Sequence, residues 1–275
     1  MDVGLLLLLP LGFAIAVYGT IVGAGGGFIL VPVLLILYPD YEPAEVTAIS
    51  LAVVWGNASS GSIAYARQHR IDYVTGLLFA AASLPGVIAG ALAVHLIAER
   101  FFAFLFGLLL LSMSGLLLRQ PATYIQPPLA GRGLLIRTVA TREGETYRYA
   151  YKMWQGVLLS VAVGFVSSLF GIGGGVIHVP VMITLFHFPI QFAVATSQFI
   201  LALMSGGGTL VHLINGTLSG KPLVQALVLG AGAIPGAQVG AHLSRRIRGQ
   251  TIIILLAAAL VALAIRLMIR AVSGL

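Results

Sequence analysis

Gly23-Ala24-Gly25-Gly26-Gly27-Phe28-Ile29-Leu30-Val31-Pro32 is matched by Gly171-Ile172-Gly173-Gly174-Gly175-Val176-Ile177-His178-Val179-Pro180. The shared pattern is GGG-x3-VP, and one copy sits near the start of each half of a very apolar chain. A glycine triplet weakens a helix. Inside a membrane a broken helix exposes unpaired backbone dipoles, which survive only where protein buries them or where they line a cavity. Two breaks at matched positions of two halves point to a transporter substrate site.

The surrounding composition puts the chain in a bilayer. Of 275 residues, 59% are hydrophobic and only 8% charged, against about 25% charged in a soluble domain. The chain reads as an all-α polytopic membrane protein. Without cysteine it can hold no disulfide and no thiolate-bound metal, and no cofactor is implied. The net charge of +7 lies mostly between apolar stretches, the positive-inside pattern of a membrane protein rather than a nucleic-acid surface. Met1-Asp2-Val3 lacks the basic segment of a cleaved signal peptide, so the first span is expected to be retained.

Eight apolar stretches run over 3–38, 43–66, 72–97, 100–118, 153–186, 190–214, 222–244 and 250–270. The first and fifth are too long for one crossing: Val3 to Tyr38 as one helix would measure about 50 Å, against a hydrocarbon core of about 30 Å. Both contain a glycine triplet. Each is therefore expected to be a long helix, a break and a half-helix: 3–22 then 26–38, and 153–170 then 174–186. The half-helices begin at the glycines and carry Pro32 and Pro180 in the second turn, near the end where proline costs least.

The halves repeat one another beyond this motif. Ser50 aligns with Ser197, and Ser59-Ser60-Gly61 with Gly206-Gly207-Gly208. Leu84-Pro85-Gly86-x3-Gly90-Ala91 aligns with Ile234-Pro235-Gly236-x3-Gly240-Ala241. Residues 1–118 form a first transmembrane repeat and 153–275 a second, joined by a connecting loop, 119–152. In that loop Leu134 to Tyr151 alternates apolar and polar residues around Arg142-Glu143-Gly144-Glu145, which reads as a small β-hairpin. Its basic excess places the loop in the cytoplasm.

The positive-inside count leaves the orientation of the repeats open. If each broken stretch crosses once, the loop's side holds eleven of the fifteen Lys and Arg and both termini share it. If each turns back at its glycines, the loop's side again holds eleven, the termini lie opposite, and the repeats are inverted. The apolar connection Phe186-His187-Phe188-Pro189-Ile190 favours inversion, as a segment shielded from bulk water. Its counterpart, Tyr38-Pro39-Asp40-Tyr41-Glu42-Pro43, carries two acids and argues less clearly.

The charge inventory selects the ligand. All eight acids, Asp2, Asp40, Glu42, Glu45, Asp72, Glu99, Glu143 and Glu145, fall at span ends or in loops. No mid-span carboxylate is available to hold a cation. Backbone N–H groups at two half-helix N-termini favour an anion instead, with Gly25, Gly26, Gly27, Gly173, Gly174 and Gly175 leaving them unshielded. Glycines used only for close helix packing are the plainer alternative. Ser50 and Asn57, two turns apart on one face, are further candidates, with Thr196, Ser197 and Gln198 in the matching region. Interhelical hydrogen bonding would explain each of them equally well. His178, within the second motif, and His212, aligned with Tyr65, are candidates for proton coupling.

The twin GGG-x3-VP motifs, the serines at 50 and 197 and the later PG-x3-GA resemble the TauE/SafE sulfite-exporter family, over nearly the whole chain outside 119–152. The resemblance implies an integral inner-membrane carrier for sulfur-containing oxyanions such as sulfite, thiosulfate or organosulfonates. The family's Ala-x-x-Thr-Ser is kept in Ala193-Val194-Ala195-Thr196-Ser197, whereas Val46-Thr47-Ala48-Ile49-Ser50 has isoleucine in the threonine place. The leading reading is a secondary carrier of a small anion. An anion channel using the same helix-end site is the alternative. An intramembrane enzyme lacks support: Gly56-Asn57-Ala58-Ser59-Ser60-Gly61 does not fit a serine-protease spacing, and no carboxylate–histidine metal motif is present.

Overall fold

The computed structural model describes residues 3–118, 134–140 and 146–273. Its helices follow the sequence segmentation. In the first half they are α1 (Val3–Ile21), α2 (Gly27–Leu37), α3 (Pro43–Arg67), α4 (Tyr73–Ala93) and α5 (Glu99–Leu118). In the second half they are α6 (Met153–Leu169), α7 (Gly175–Thr184), α8 (Ile190–Ile214), α9 (Gly220–Ser244) and α10 (Gly249–Ser273). Between the halves β1 (Leu134–Ala140) pairs antiparallel with β2 (Thr146–Lys152), Leu134 opposite Lys152 and Ala140 opposite Thr146. The expected hairpin is thus present in its strands; its Arg142–Glu145 tip lies outside the described residues.

Among the described residues seven helices are long and apolar enough to cross a bilayer. The 17 residues of α6 span about 26 Å and make it the counterpart of α1. At 11 and 10 residues, α2 and α7 are half-helices, about 16 Å long. Both start where the glycines end, and α7 stops at Thr184, slightly earlier than its sequence suggests. Local signals fix several other starts. Pro43 opens α3 behind a capping box between Glu42 and Glu45. Asp72 caps α4 by accepting from the Thr75 amide.

Helix packing settles the orientation of the repeats. On α9, Gly232, Gly236 and Gly240 press in turn on the carbonyls of Leu9, Phe13 and Val17 of α1. The order rises along both chains, so α1 and α9 run parallel. On α4, Gly86 and Gly90 press likewise on Val161 and Phe165 of α6. The PG-x3-GA motif is therefore a small-residue seam that lets a helix of the other half approach to backbone contact. At the far end of α9, Ser244 meets Tyr65 near the end of α3. Asp72, which follows α3, is bound by Arg137 of the hairpin. The ends of α3 and α9 thus lie on the hairpin side, and α1 starts on the opposite side. Since α3 also starts on that opposite side, the preceding α2 returns to it: α1 and α2 form a re-entrant pair. By the same reasoning α6 starts on the hairpin side and α7 returns there. The repeats are inverted.

Helices α3 and α8 pack against each other at the centre, flanked by α9 and α4, with α5 against α10 outside them. Apolar side chains such as Leu7, Leu77, Phe101, Leu158, Leu227 and Ile269 point outward, as a bilayer solvent permits.

Candidate functional site

The two breaks meet. Gly23, Gly25 and Gly26 have φ of 74°, 73° and 82°, and Gly171, Gly173 and Gly174 have 70°, 74° and 103°. Only glycine takes these values without strain, and here they turn each chain back on itself. A Cβ at Gly27 would lie 2.7 Å from the Gly171 carbonyl oxygen, and one at Gly175 2.6 Å from Cα of Ala24. Each half-helix therefore begins against the loop of the opposite repeat. Val54 of α3 and Leu201 of α8 fit over the glycines: a Cβ at Gly173 would meet Val54 at 2.6 Å and Leu201 at 3.6 Å. These two side chains and Ala58 form an apolar cluster apart from the main core.

The serines singled out by the repeat cross between halves. Ser50 donates its hydroxyl to the Gly171 carbonyl at 2.6 Å, and Ser197 donates to the Gly23 carbonyl at 3.0 Å. Each hydroxyl satisfies a carbonyl that the break leaves without a helical partner. Asn57 donates from Nδ2 to the Gly25 carbonyl at 2.7 Å and accepts from the Thr20 hydroxyl at 2.7 Å. Gln198 donates from Nε2 to the same Thr20 oxygen at 3.1 Å, and Tyr65 donates to the Thr20 carbonyl at 2.8 Å. All these side chains are buried. Ser50, Asn57, Ser197, Gln198 and the six triplet glycines are thus brought together.

Thr196 lies elsewhere. Its hydroxyl accepts the Asp72 amide at 3.0 Å, on the hairpin side. His178 packs close to Gly174, with Nδ1 3.2 Å from where a Cβ there would stand, and its ring stacks on Phe79. Neither ring nitrogen completes a hydrogen bond, although the Gly174 backbone approaches the ring. His212 is also buried without a hydrogen bond, 6.2 Å from the His95 ring.

Two features escape sequence reading. Ser167 and Ser168, buried just before the second break, have hydroxyls with no partner among the described residues; a hydroxyl one turn from a predicted break was the available signal. The other is the Asp72 cluster. Asp72 is 2% exposed. Its carboxylate accepts Arg137 Nη2 at 2.7 Å and Nε at 3.2 Å, Thr75 Oγ1 at 2.6 Å, and the Tyr149 hydroxyl. Burial pushes the Asp72 carboxyl up, but the bonds from Arg137, Thr75 and Tyr149 outweigh it and hold the group below its ordinary value. Burial raises Tyr149 and Tyr151, and the Asp72 charge raises both further. Beside this cluster Tyr149 packs on Phe188 and Tyr151 on Phe186. The α7–α8 connection is apolar because the hairpin covers it.

Among the described residues every acid lies in a connection or within the first turn of a helix: Asp40, Glu42, Glu45, Asp72 and Glu99. No group of three or more His, Asp or Glu that could hold a metal ion occurs among them.

The pattern of the sulfite exporter TauE/SafE family matches residues 8–267. A probable membrane transporter protein of Bacillus subtilis, YunE, is 35% identical over 257 residues, covering 91% of this chain and 92% of the relative. A probable membrane transporter protein of Methanocaldococcus jannaschii is 30% identical, over 77% of this chain and 75% of its own. A third, MamO of Magnetospirillum gryphiswaldense, is 26% identical over 94% of this chain but 44% of its own length. No solved structure matches the chain.

Proposed function

The chain belongs to the TauE/SafE sulfite exporter family of multi-pass membrane transporters, and we propose that it is a secondary carrier of a small anion, with sulfur oxyanions as its substrate class. Sulfite, thiosulfate and short organosulfonates fit that class. The observation that carries this reading is the meeting of two half-helix N-termini inside the protein, with no carboxylate beyond the first turn of a helix among the described residues. Among the described residues no backbone carbonyl pairs with the N–H groups of Gly26, Gly27 and Phe28, or with those of Gly174, Gly175 and Val176. Helix N-termini of this kind attract negative charge.

The inverted repeats support a carrier over a channel. Two equivalent halves of opposite orientation can exchange conformations, opening the centre to one side and then the other. His178 and His212 are the proton-coupling candidates in this reading. Arg67, Arg70, Arg245, Arg246 and Arg248 share the hairpin's side, which supports a cytoplasmic place for that side. Protein reconstituted into liposomes tests the proposal. Preloaded sulfite should drive counterflow of labelled sulfite. Flux without counterflow identifies a channel, and no flux of any sulfur oxyanion rejects the substrate class.

A further inference from the structure

The two breaks are related by symmetry in the backbone but not in their polar side chains. Three successive turns of α3 present Asn57, Gly61 and Tyr65 to the first break. Asn57 and Tyr65 are bonded to Gly25 and Thr20, and Gly61 is covered by the Gln198 amide, 3.0 Å from where a Cβ would stand. Of the buried side-chain atoms bordering this break, Gln198 Oε1 alone lacks a partner among the described residues.

The matching turns of α8 carry Met204, Gly208 and His212. Met204 bonds to nothing. A Cβ at Gly174 would stand 3.0 Å from Met204 Cε, 3.1 Å from Ser167 Oγ and 3.2 Å from His178 Nδ1. Ser167 and His178 thus converge on the α7 N-terminus, both fully buried; among the described residues the Ser167 hydroxyl has no hydrogen bond, and the His178 ring has only the approach of the Gly174 backbone. One turn further along α8, the Ser168 hydroxyl lies against Gly208, and one turn beyond that comes His212. Neither is hydrogen-bonded among the described residues. The first-repeat counterparts of Ser167 and His178 are Gly19 and Leu30, which have no polar side chain.

Buried polar groups are normally satisfied, and each exception needs a reason. We propose that the anion site is one-sided: it lies in the second repeat, formed by Ser167, His178 and the N–H groups of Gly174, Gly175 and Val176, with Ser168 and His212 marking the approach from the side of the chain termini. The first break, whose flanking side chains Asn57, Thr20 and Tyr65 are bonded within the protein, serves as its structural counterpart.

The donor set also selects charge. Hydroxyl, imidazole and backbone N–H groups are all neutral donors. Helices α1 to α9 carry Lys or Arg only within two residues of an end. The cost of removing an ion from water rises with the square of its charge, and no buried cation offsets it here. The site therefore takes a singly charged oxyanion, such as hydrogensulfite or an alkylsulfonate, ahead of the dianion sulfate.

This inference rests on the broken-helix anion reading, and the test separates the two. Binding of methanesulfonate, sulfite and sulfate is measured on the full chain in nanodiscs, together with its unfolding temperature. Ser167→Ala and His178→Leu should each weaken methanesulfonate at least tenfold. Ser167→Ala should not lower the unfolding temperature, since it removes an unpaired group. Leu30→Met, at the matching first-repeat position, should bind as the unaltered protein does. Unchanged affinity in both second-repeat variants, with binding lost in Gly26→Val, overturns the one-sided site and leaves the broken-helix reading standing. Sulfate binding as tightly as methanesulfonate overturns the charge preference. No binding of any of the three anions to the unaltered protein overturns both readings.

Discussion

The Ser50 hydroxyl is hydrogen-bonded to the Gly171 carbonyl, 121 positions away in sequence and in the opposite repeat. With its symmetry mate between Ser197 and Gly23, it ties each helix break to the central helix of the other half. Ser50→Ala leaves a buried carbonyl unpaired, which costs about 1–3 kcal/mol. The expected result is a lower unfolding temperature in detergent or nanodiscs. An unchanged temperature would show that the bond adds nothing to stability.

Asn57 joins three elements, through Gly25 and Thr20. Asn57→Leu should be more damaging than Ser50→Ala, because the Gly25 carbonyl and the Thr20 hydroxyl both lose a partner in a dry interior. Two such losses amount to about 2–6 kcal/mol. Yield of monodisperse protein on size exclusion reads this out; a normal yield with normal melting would contradict it.

Gly174 sits at φ 103°, outside the region that an L-residue takes readily. Gly174→Ala adds a methyl group against Met204, Ser167 and His178 as well as backbone strain of about 1–3 kcal/mol. Sulfite counterflow should fall sharply while membrane insertion persists. Gly26→Ala meets Ile15 in the same way. Full activity in both variants would show that the turns tolerate a side chain.

The hairpin is held by a pH-sensitive latch. The Asp72 carboxyl is depressed on balance, so its contribution is complete at neutral pH and fades as pH falls through its folded value, below about 4. Tyr149 is raised, so the protonated phenol favours the docked state, and that contribution fades only above about pH 10. Protection of the β2 amides, with the intrinsic pH dependence of exchange divided out, should persist across neutral pH and fall below about pH 4 and above about pH 10. Asp72→Ala strands the Arg137 charge and the Tyr149 hydroxyl, at a cost of about 3 kcal/mol, and should give fast exchange at every pH. Slow exchange in that variant would dismiss the latch.

Legibility in the sequence followed distance along the chain. The breaks could be read because glycine triplets and over-long apolar stretches are local signals. The hairpin could be read from its alternation. PG-x3-GA was visible as a repeat, but its purpose depends on Gly86 and Gly236 meeting helices of the other half. Thr196, a candidate alongside Ser197 and Gln198 in the sequence, instead accepts the Asp72 amide. Asp72 itself looked like an ordinary loop acid, since its partner Arg137 lies 65 positions on. Inversion of the repeats was a balance of charges in the sequence and a matter of helix direction in the structure.

The parallel seams between α1 and α9 and between α4 and α6 bear on how the protein is made. Leu9 meets Gly232 more than 200 residues later. At about 5–20 residues per second of synthesis, α1 enters the membrane many seconds before its main packing partner exists. Until then its glycine-matched face has only lipid or the insertion machinery to rest on. Truncation within the second repeat should therefore leave the first half unassembled, a target for membrane proteolysis rather than a stable half-carrier.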